Sequence, residues 1–208
     1  SLYRVTLAAV YAIAIMGLGL LIGLSGQFSV GHSAFFALGA YSAAIPMLHG
    51  MSPYLVIPLA GVVGAVVGFA VGIPARRLGF VHLALVTWGL ALVIPRILKS
   101  SYLERWTLGV QGIYVERPPP PELFGLSDDQ WWYLITVALL VFLLWAGQNL
   151  SNGRGARALR ALKDNPIAAQ SLGINVALYK PLIFAISAAF TSIAGALGAI
   201  LTDFVAPD

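Results

Sequence analysis

The sequence predicts an all-α, polytopic membrane protein, and three observations carry that prediction. The chain has 208 residues, of which 59% are hydrophobic and only 10% are charged, and its mean hydropathy is +0.87. Soluble domains carry about 25% charged residues, so this chain lacks the material for an ordinary water-exposed surface. The 71 residues from Val5 to Ala75 contain no Asp, Glu, Lys or Arg, which is room for about three spans of about 20 residues. Without sustained apolar–polar alternation, helices are favoured over a barrel.

Six transmembrane helices are predicted along the chain. Ser52-Pro53 is typical of a helix start, with serine as the cap and proline in the first helical position. Lys180-Pro181 is expected to open the last span in the same way. The predicted spans are residues 3–22, 31–48, 53–74, 78–98, 130–147 and 181–201.

The charged residues set the predicted orientation. The segment 148–180 carries five basic residues and one acid, and short basic loops stay cytoplasmic. Counting spans back from there places the segment 99–130, with five acids, outside, and Ser1 outside as well. The whole chain, 1–208, is therefore predicted to be a single transmembrane domain that is incomplete at both ends. The basic residues are Arg154, Arg157, Arg160, Lys163 and Lys180, and the acids outside are Glu104, Glu116, Glu122, Asp128 and Asp129.

The external segment holds the only proline-rich tract, "ERPPPPELFG" at residues 116–125. Four consecutive prolines favour an extended polyproline II spacer. It either bridges two helix ends or offers a docking edge to an external partner. Trp131, Trp132 and Tyr133 follow it at a span start, which predicts an aromatic anchor at the membrane interface.

A polar, glycine-rich stretch, "GLSGQFSVGHSAFF" at residues 23–36, interrupts the apolar run. Glycine tolerates conformations that break a helix, and transporters use such breaks to hold solutes against helix N-termini. One interpretation is therefore that this stretch lines a water-filled path, with Phe28, Phe35 or Phe36 meeting a solute side chain. The other is close helix packing through small residues (Gly31, Gly39 and Ala43), with His32 hydrogen-bonded to a neighbouring helix. The residues predicted to line the path are Ser25, Gly26, Gln27, Ser29, Gly31 and His32.

No energy source for transport is visible in the chain itself. The predicted spans contain no acid, so ion coupling would have to rely on backbone carbonyls, hydroxyls or one histidine, His32. There is no G-x-x-x-x-G-K-[ST] nucleotide-binding loop. Active transport would therefore draw its energy from another polypeptide.

The basic segment contains a helix signal of its own. Its basic side chains recur every third residue and would lie along one broad face of a helix, with Leu159 and Leu162 on another. A basic face of this kind suits contact with anionic lipid head groups. Asp164-Asn165 is a cap signal, Pro166 suits the first helical position and Gly173 suits a left-handed stop. A helix of about two turns is unstable alone in water. It is either a linker turn or a contact for a cytoplasmic partner.

These stretches carry a resemblance to a known family. "IAAQSLG", residues 167–173, resembles the E-A-A-x-x-x-G coupling motif of ABC importer permeases, with Ile167 in the position of the acid. Residues 15–44, 76–98 and 155–180 resemble, in order, the glycine-rich break, the next membrane block and the coupling loop of branched-chain amino acid permeases. "TLGVQGI", residues 107–113, resembles a T-G-G-x-x-G-I/L loop with Leu108 replacing a glycine. The chain is similar to the M-type permease of that family.

The resemblance implies a non-enzymatic permease subunit of the bacterial inner membrane that moves branched-chain amino acids or a related small polar solute. It implies a homologous permease subunit, two cytoplasmic ATPase subunits and an external substrate-binding protein, besides membrane lipid and without nucleic acid. No metal or cofactor is expected, because the partner would use the ATP. The rival hypothesis is a passive channel for a solute such as urea or an amide. The residues expected to couple to the ATPase are Arg157, Arg160, Asp164, Ile167, Ala168, Ala169 and Gly173.

Overall fold

The computed structural model describes residues 2–75, 80–100, 111–121 and 125–206. Arg76-Arg77 and Leu108 lie outside these ranges. Within them the chain forms eight helices and one pair of two-residue strands. In chain order these are α1 (Leu2–Ser25), α2 (His32–Leu48), α3 (Pro53–Ala75), α4 (Phe80–Leu98), β1 (Ile113–Tyr114), α5 (Asp128–Asn152), α6 (Arg154–Asp164), α7 (Pro166–Ser171), α8 (Val176–Thr202) and β2 (Phe204–Val205).

Six apolar helices occupy the six predicted spans, which confirms a helical membrane protein. By length and composition, four of them can cross a membrane: α1, α3, α5 and α8. The apolar parts of α2 and α4, His32–Leu48 and His82–Leu98, are shorter. The predicted start at Ser52-Pro53 is confirmed, because the amides of Leu55 and Val56 donate to the Ser52 carbonyl at 3.0 and 3.2 Å.

The predicted start of the last span at Lys180-Pro181 is wrong. Helix α8 begins at Val176 after the cap residue Asn175, and Pro181 lies buried inside it. A proline at this position leaves the Ala177 carbonyl without its helical donor. The ring is kept because it packs on α3, where a Cβ placed on Gly72 would lie 2.7 Å from the Pro181 Cα. Tertiary packing overrides the local start signal.

Helix α8 is the centre of the bundle. It packs against α1, α2 and α3, and most of its residues from Pro181 to Leu201 are buried. Helix α3 reaches it through glycines: a Cβ on Gly64 would lie 2.6 Å from the Ser192 Cβ, and one on Gly68 would lie 3.1 Å from the Phe184 carbonyl oxygen. Small residues that let backbones approach are the usual means of packing helices in membranes.

The proposed seam of Gly31, Gly39 and Ala43 is divided between two neighbours. Gly39 faces α8, where an added Cβ would overlap the Ser192 carbonyl oxygen and lie 2.5 Å from its Cα. Ala43 is buried in the same apolar cluster as Ala194 and Leu197 of α8. Gly31 instead faces α4, so the three residues do not form one continuous contact.

The predicted external end is held together by Arg117. Its Nε donates to Asp203 Oδ1 at 2.7 Å and to the Ile200 carbonyl at 3.1 Å, and its Nη2 donates to the Leu201 carbonyl. Its Nη1 lies 3.3 Å from Asp129 Oδ1 in the first turn of α5. One guanidinium thus satisfies carbonyls at the end of α8, which the helix itself leaves unpaired. Next to it, β1 pairs antiparallel with β2.

The aromatic anchor predicted at residues 131–133 is only partly an interface feature. Trp132 is fully buried and stacks on Tyr54 of α3, with the ring centroids 6.2 Å apart. Trp131 Nε1 donates to the Tyr54 hydroxyl at 2.9 Å. The prediction for Trp132 is wrong, because three consecutive aromatics on a helix point in different directions and one of them faces the core.

Candidate functional site

The glycine-rich stretch breaks the helix as predicted, and the break is residues 26–31. Helix α1 ends at Ser25, and Gly26 follows with a left-handed φ of 66° while its amide donates to the Ile22 carbonyl at 3.0 Å. This is the glycine stop that many helices use. Gly23, the first residue of the same stretch, is still helical.

The break runs back into the bundle instead of ending at its edge. Gly26 lies at the end of α1, beside the Lys163 side chain of α6. His32, six residues later, is hydrogen-bonded through Ser187 to the Gly17 carbonyl. Gly17 precedes the end of α1 by eight residues, which is about 12 Å along a helix. Helix α2 therefore begins inside the bundle, which is why it is short.

Contacts with α4 hold the far end of the break. The Val30 amide donates to Thr87 Oγ1 at 3.1 Å. Gly31 lies so close to Thr87 that a Cβ would overlap its carbonyl oxygen and lie 2.7 Å from its carbonyl carbon. Since the Gly31 φ is −95°, this position needs glycine for space and not for torsional freedom.

His32 joins the break to two helices through a continuous set of hydrogen bonds. Ser187 Oγ donates to the Gly17 carbonyl at 2.7 Å, so it accepts from His32 Nε2, which lies 2.6 Å away. His32 Nδ1 then accepts from the Ser29 hydroxyl at 2.8 Å. This assignment gives each polar group one role that it can fill. The histidine is bonded to a neighbouring helix, as the packing interpretation expected.

Gln27 is the exception among the polar residues of the break. Its side chain is only 5% exposed. Neither its Oε1 nor its Nε2 has a hydrogen-bond partner among the residues that the structure describes. Buried side-chain amides are nearly always paired, because an unpaired one loses its hydration without compensation. The break therefore holds one buried amide whose donor and acceptor atoms are unpaired among the described residues.

A cavity of about 560 Å³ opens between α1, α2 and the end of α8. His32 and Ser33 lie at one end of it and β2 at the other. The lining residues of α8 run from Thr191 to Thr202, so the cavity extends about 16 Å along this helix toward the predicted external end. Tyr11 and Phe36 stack in its wall with centroids 6.1 Å apart. The lining residues also include Leu7, Ile15, Tyr41, Thr191, Thr202 and Phe204.

Only His32 of the six predicted path residues lines this cavity. Ser25, Gln27 and Ser29 are buried below the level at which α2 begins. Of the three phenylalanines expected to meet a solute, Phe36 lines the cavity, whereas Phe35 is packed against Phe184 in the core. Sequence reasoning missed Tyr11, Thr191 and Phe204, which are far apart in the chain and give no local signal.

The predicted short helix is present as α7. The Asn165 side chain accepts from the amides of Ile167 and Ala168, both at 3.1 Å, and Pro166 is the first helical residue. At the other end Gly173 has a φ of 85°, and the Ile174 amide returns to the Ala169 carbonyl at 3.1 Å. These are the two hydrogen-bonded ends of a complete helix.

The exposed surface of α7 carries aliphatic side chains besides the polar Gln170 and Ser171. Ile167 is 82% exposed and Leu172, at its end, is 81% exposed. Ala168 is exposed as well, whereas Ala169 is buried and faces the protein. Of the residues predicted to couple to an ATPase, Ile167 and Ala168 are therefore displayed, and Ala169 and Gly173 shape the helix that displays them.

Helix α6 packs against the bundle and positions α7, which follows it. Its apolar face, Ala156, Leu159 and Leu162, is buried. Its cations bind carbonyls at helix ends: Arg160 Nη2 donates to the Ser151 carbonyl at 2.9 Å and Lys163 Nζ to the Gly23 carbonyl at 3.2 Å. Both cations thus lie at the carboxyl-terminal ends of α5 and α1, where the helix dipole is negative and a positive charge is favourable. The sequence analysis did not predict these contacts. Arg157 donates more weakly to the Asn152 carbonyl, at 3.5 Å, and Asp164 is exposed as the last residue of α6.

Comparison with known proteins assigns the chain to a family. A family model described as the permease component of branched-chain amino acid transport systems matches residues 2–208. The chain belongs to this permease family. Within the family, it is 34% identical to two proteins named high-affinity branched-chain amino acid transport system permease protein LivM, from Salmonella typhimurium and Escherichia coli, over 98% of its length and 53% of theirs.

A more distant member of the permease family is a probable branched-chain amino acid transport permease protein LivH from Methanocaldococcus jannaschii. It is 26% identical over 89% of this chain and 63% of its own length. The chain spans about half the length of the two LivM relatives. No solved structure matches it.

Proposed function

We propose that this chain is a permease subunit of an ATP-dependent importer in the bacterial inner membrane, moving branched-chain amino acids or a related small solute. Its partners would be a homologous permease, two cytoplasmic ATPase subunits and an external substrate-binding protein. The names of the LivM relatives support the solute class. The single observation that carries the proposal is α7, a capped helix that presents apolar side chains to a partner.

The apolar surface of α7 is the proposed ATPase contact. Two exposed aliphatic side chains, Ile167 in this helix of six residues and Leu172 at its C-cap, gain stability when a partner covers them. The helix is too short to be stable without support. Its rigid ends make it suited to transmit a displacement. Ile167 in place of an acid makes this contact apolar.

Helix α6 is the proposed connection from α7 to the solute path. Lys163 lies two residues before the Asn165 cap, and it contacts the break at Gly26 besides binding the Gly23 carbonyl. A displacement of α7 by the ATPase would therefore reach the end of α1 and the start of the break. Arg160 would carry the same displacement to the end of α5.

The cavity and the break are the proposed outer and inner parts of the path. In this conformation the cavity extends from the predicted external end to His32, and the break closes it below. Among the residues that the structure describes, the lining offers aromatic and aliphatic walls and hydroxyl groups but no side chain with a full charge. Such a wall suits a solute with no net charge, because an ion would leave its charge uncompensated. The unpaired amide of Gln27 is the proposed next contact below His32.

Co-purification from native membranes tests the ATPase contact. We expect an ATPase subunit to accompany the unchanged protein and Ala177→Arg, which alters another exposed alanine of the same segment. Ala168→Arg places a charge in the apolar contact, and we expect it to reduce the recovered ATPase about tenfold or more. Recovery that is equal for the two variants would refute α7 as the contact.

Uptake into vesicles distinguishes importer from passive channel. We expect accumulation of labelled leucine to require ATP on the cytoplasmic side and the external binding protein. Equilibration of leucine, urea or an amide without ATP, in vesicles from which no ATPase can be recovered, would instead establish the passive channel.

A further inference from the structure

A second groove lies on the outside of the bundle, away from the proposed solute path. It runs between α1 and α5 at the ends that adjoin α6, and it consists of two adjoining cavities of about 410 and 230 Å³. Met16, Leu20 and Ser151 line both of them. Two of its lining residues, Gly23 and Arg160, also take part in the proposed connection to α7, but its apolar part has no role in the proposed transport mechanism.

The groove changes character along its length. Toward the middle of the bundle its walls are apolar, from Met16, Leu20 and Leu144. Gly19 forms part of it, and a Cβ added there would meet nothing within 4 Å. Toward α6 the lining becomes polar and basic, with Gln148, Ser151, Asn152 and Arg160.

The guanidinium group of Arg160 lines the basic end, and that of Arg157 lies next to it, against Asn152 of the lining. Arg160 and Arg157 are both exposed, and each donates one hydrogen bond to a carbonyl near the end of α5. A guanidinium has five N–H donors. No ion pair between described residues involves either arginine, so this part of the chain presents positive charge without an internal counterion.

We infer that this groove binds one anionic phospholipid of the predicted cytoplasmic leaflet. One acyl chain lies along Met16, Leu20 and Leu144, and the phosphate meets Arg160, with Arg157 as a second donor. The occupant is a lipid because the groove passes from apolar to cationic in the direction of the membrane normal, as a phospholipid passes from chain to anionic head. Arginine is suited to this role because it binds a phosphate through two parallel N–H donors. The inference requires only a membrane protein and is independent of the solute and the ATPase.

Native mass spectrometry of the protein, purified with the chains that accompany it, tests this site. Dioleoylphosphatidylglycerol and dioleoylphosphatidylcholine are titrated separately, because they share acyl chains and differ in charge. We expect the anionic lipid to bind more tightly. We expect Arg160→Gln to weaken its binding about fivefold and that of phosphatidylcholine less, because the choline cation already compensates the phosphate charge. Arg160→Lys should restore part of the loss.

Matched controls separate the groove from general electrostatics. Arg154→Gln removes an exposed arginine of α6 that does not line the groove, and we expect it to have a smaller effect than Arg160→Gln. Gly19→Leu fills the groove and should weaken both lipids, whereas Gly89→Leu, at an open position on α4, should not. Equal binding of the two lipids, or equal effects of Arg154→Gln and Arg160→Gln, would overturn the inference.

A photo-crosslinking residue at position 19 provides a readout that does not depend on affinity. We expect its adduct to be a phospholipid. An adduct with a protein chain would show that a partner subunit covers the groove, and the lipid site would then be rejected.

Discussion

Replacing Gly39 by alanine is expected to force α2 and α8 apart. The new Cβ would overlap the Ser192 carbonyl oxygen and lie 2.5 Å from the Ser192 Cα. Carbon atoms pack at about 3.5 Å or more, so the two backbones must separate by about 1 Å. The neighbouring hydrogen bond from Ser192 Oγ to the Phe35 carbonyl is 2.9 Å long and would be lost at that separation.

The expected cost combines two terms. Overpacking a close contact costs about 1–3 kcal/mol, and the lost hydrogen bond adds about 1 kcal/mol, so the free energy of unfolding should fall by about 3 kcal/mol. Gly195→Ala acts on the same contact, because its Cβ would lie 2.9 Å from the Phe36 carbonyl carbon. Once one substitution has separated the two helices, the second causes less steric overlap. The double variant should therefore lose less free energy of unfolding than the sum of the two single variants.

Thermal unfolding in detergent, followed by size-exclusion chromatography, measures these effects. Gly89→Ala is the matched control, since it also replaces a helical glycine but its Cβ would meet nothing within 4 Å. It should be neutral or stabilise by about 0.5–1 kcal/mol. If Gly39→Ala unfolds at the same temperature as Gly89→Ala, the close contact between α2 and α8 does not exist as described.

Three further predictions concern other parts of the chain. Gln27→Leu should raise the free energy of unfolding by about 1–2 kcal/mol, because it removes two unpaired buried atoms. It should nevertheless slow solute uptake. A destabilised Gln27→Leu would contradict the unpaired state of the amide. Arg117→Gln should lower the free energy of unfolding by about 2 kcal/mol, allowing for its exposed carboxylate partners, and Arg117→Lys should recover part of this loss. Equal unfolding temperatures for both variants and the unchanged protein would show that Arg117 does not stabilise the end of α8. Asn165→Ala should destabilise α7 by about 1 kcal/mol, and the amides of Ile167 and Ala168 should then exchange hydrogen faster. Asn165→Asp keeps a capping oxygen and should leave the exchange slow. Unchanged exchange in Asn165→Ala would count against the cap.

Local signals in the sequence were sufficient for the helices and for α7. Apolar runs locate spans, and a cap such as Asn165-Pro166 acts through hydrogen bonds with residues two or three positions away. The same local logic failed at Pro181 and Trp132, where contact with α3 decides the outcome. Neither a buried proline inside a helix nor the direction of one tryptophan among three aromatics can be deduced without the neighbouring helix.

The candidate site was predictable only in part for the same reason. Unusual polarity drew attention to Gln27 and His32, and both lie in or beside a genuine break. The partner of His32, Ser187, is 155 residues away in the chain, and the cavity joins Tyr11 with Phe204. Proximity of this kind arises from the packing of α8 among α1 and α2, which no periodicity in a single segment encodes.

The central position of α8 also has a consequence for how the protein is made. The helix that fills the middle of the bundle is the last one described, so α1 to α4 enter the membrane before their main neighbour has been synthesised. Until Val176 and the residues after it leave the ribosome, the glycine faces of α2 and α3 have no backbone to pack against, and His32 has no serine to bind. The arrangement of α1 to α4 around α8 can therefore form only after α8 has been synthesised and has entered between them.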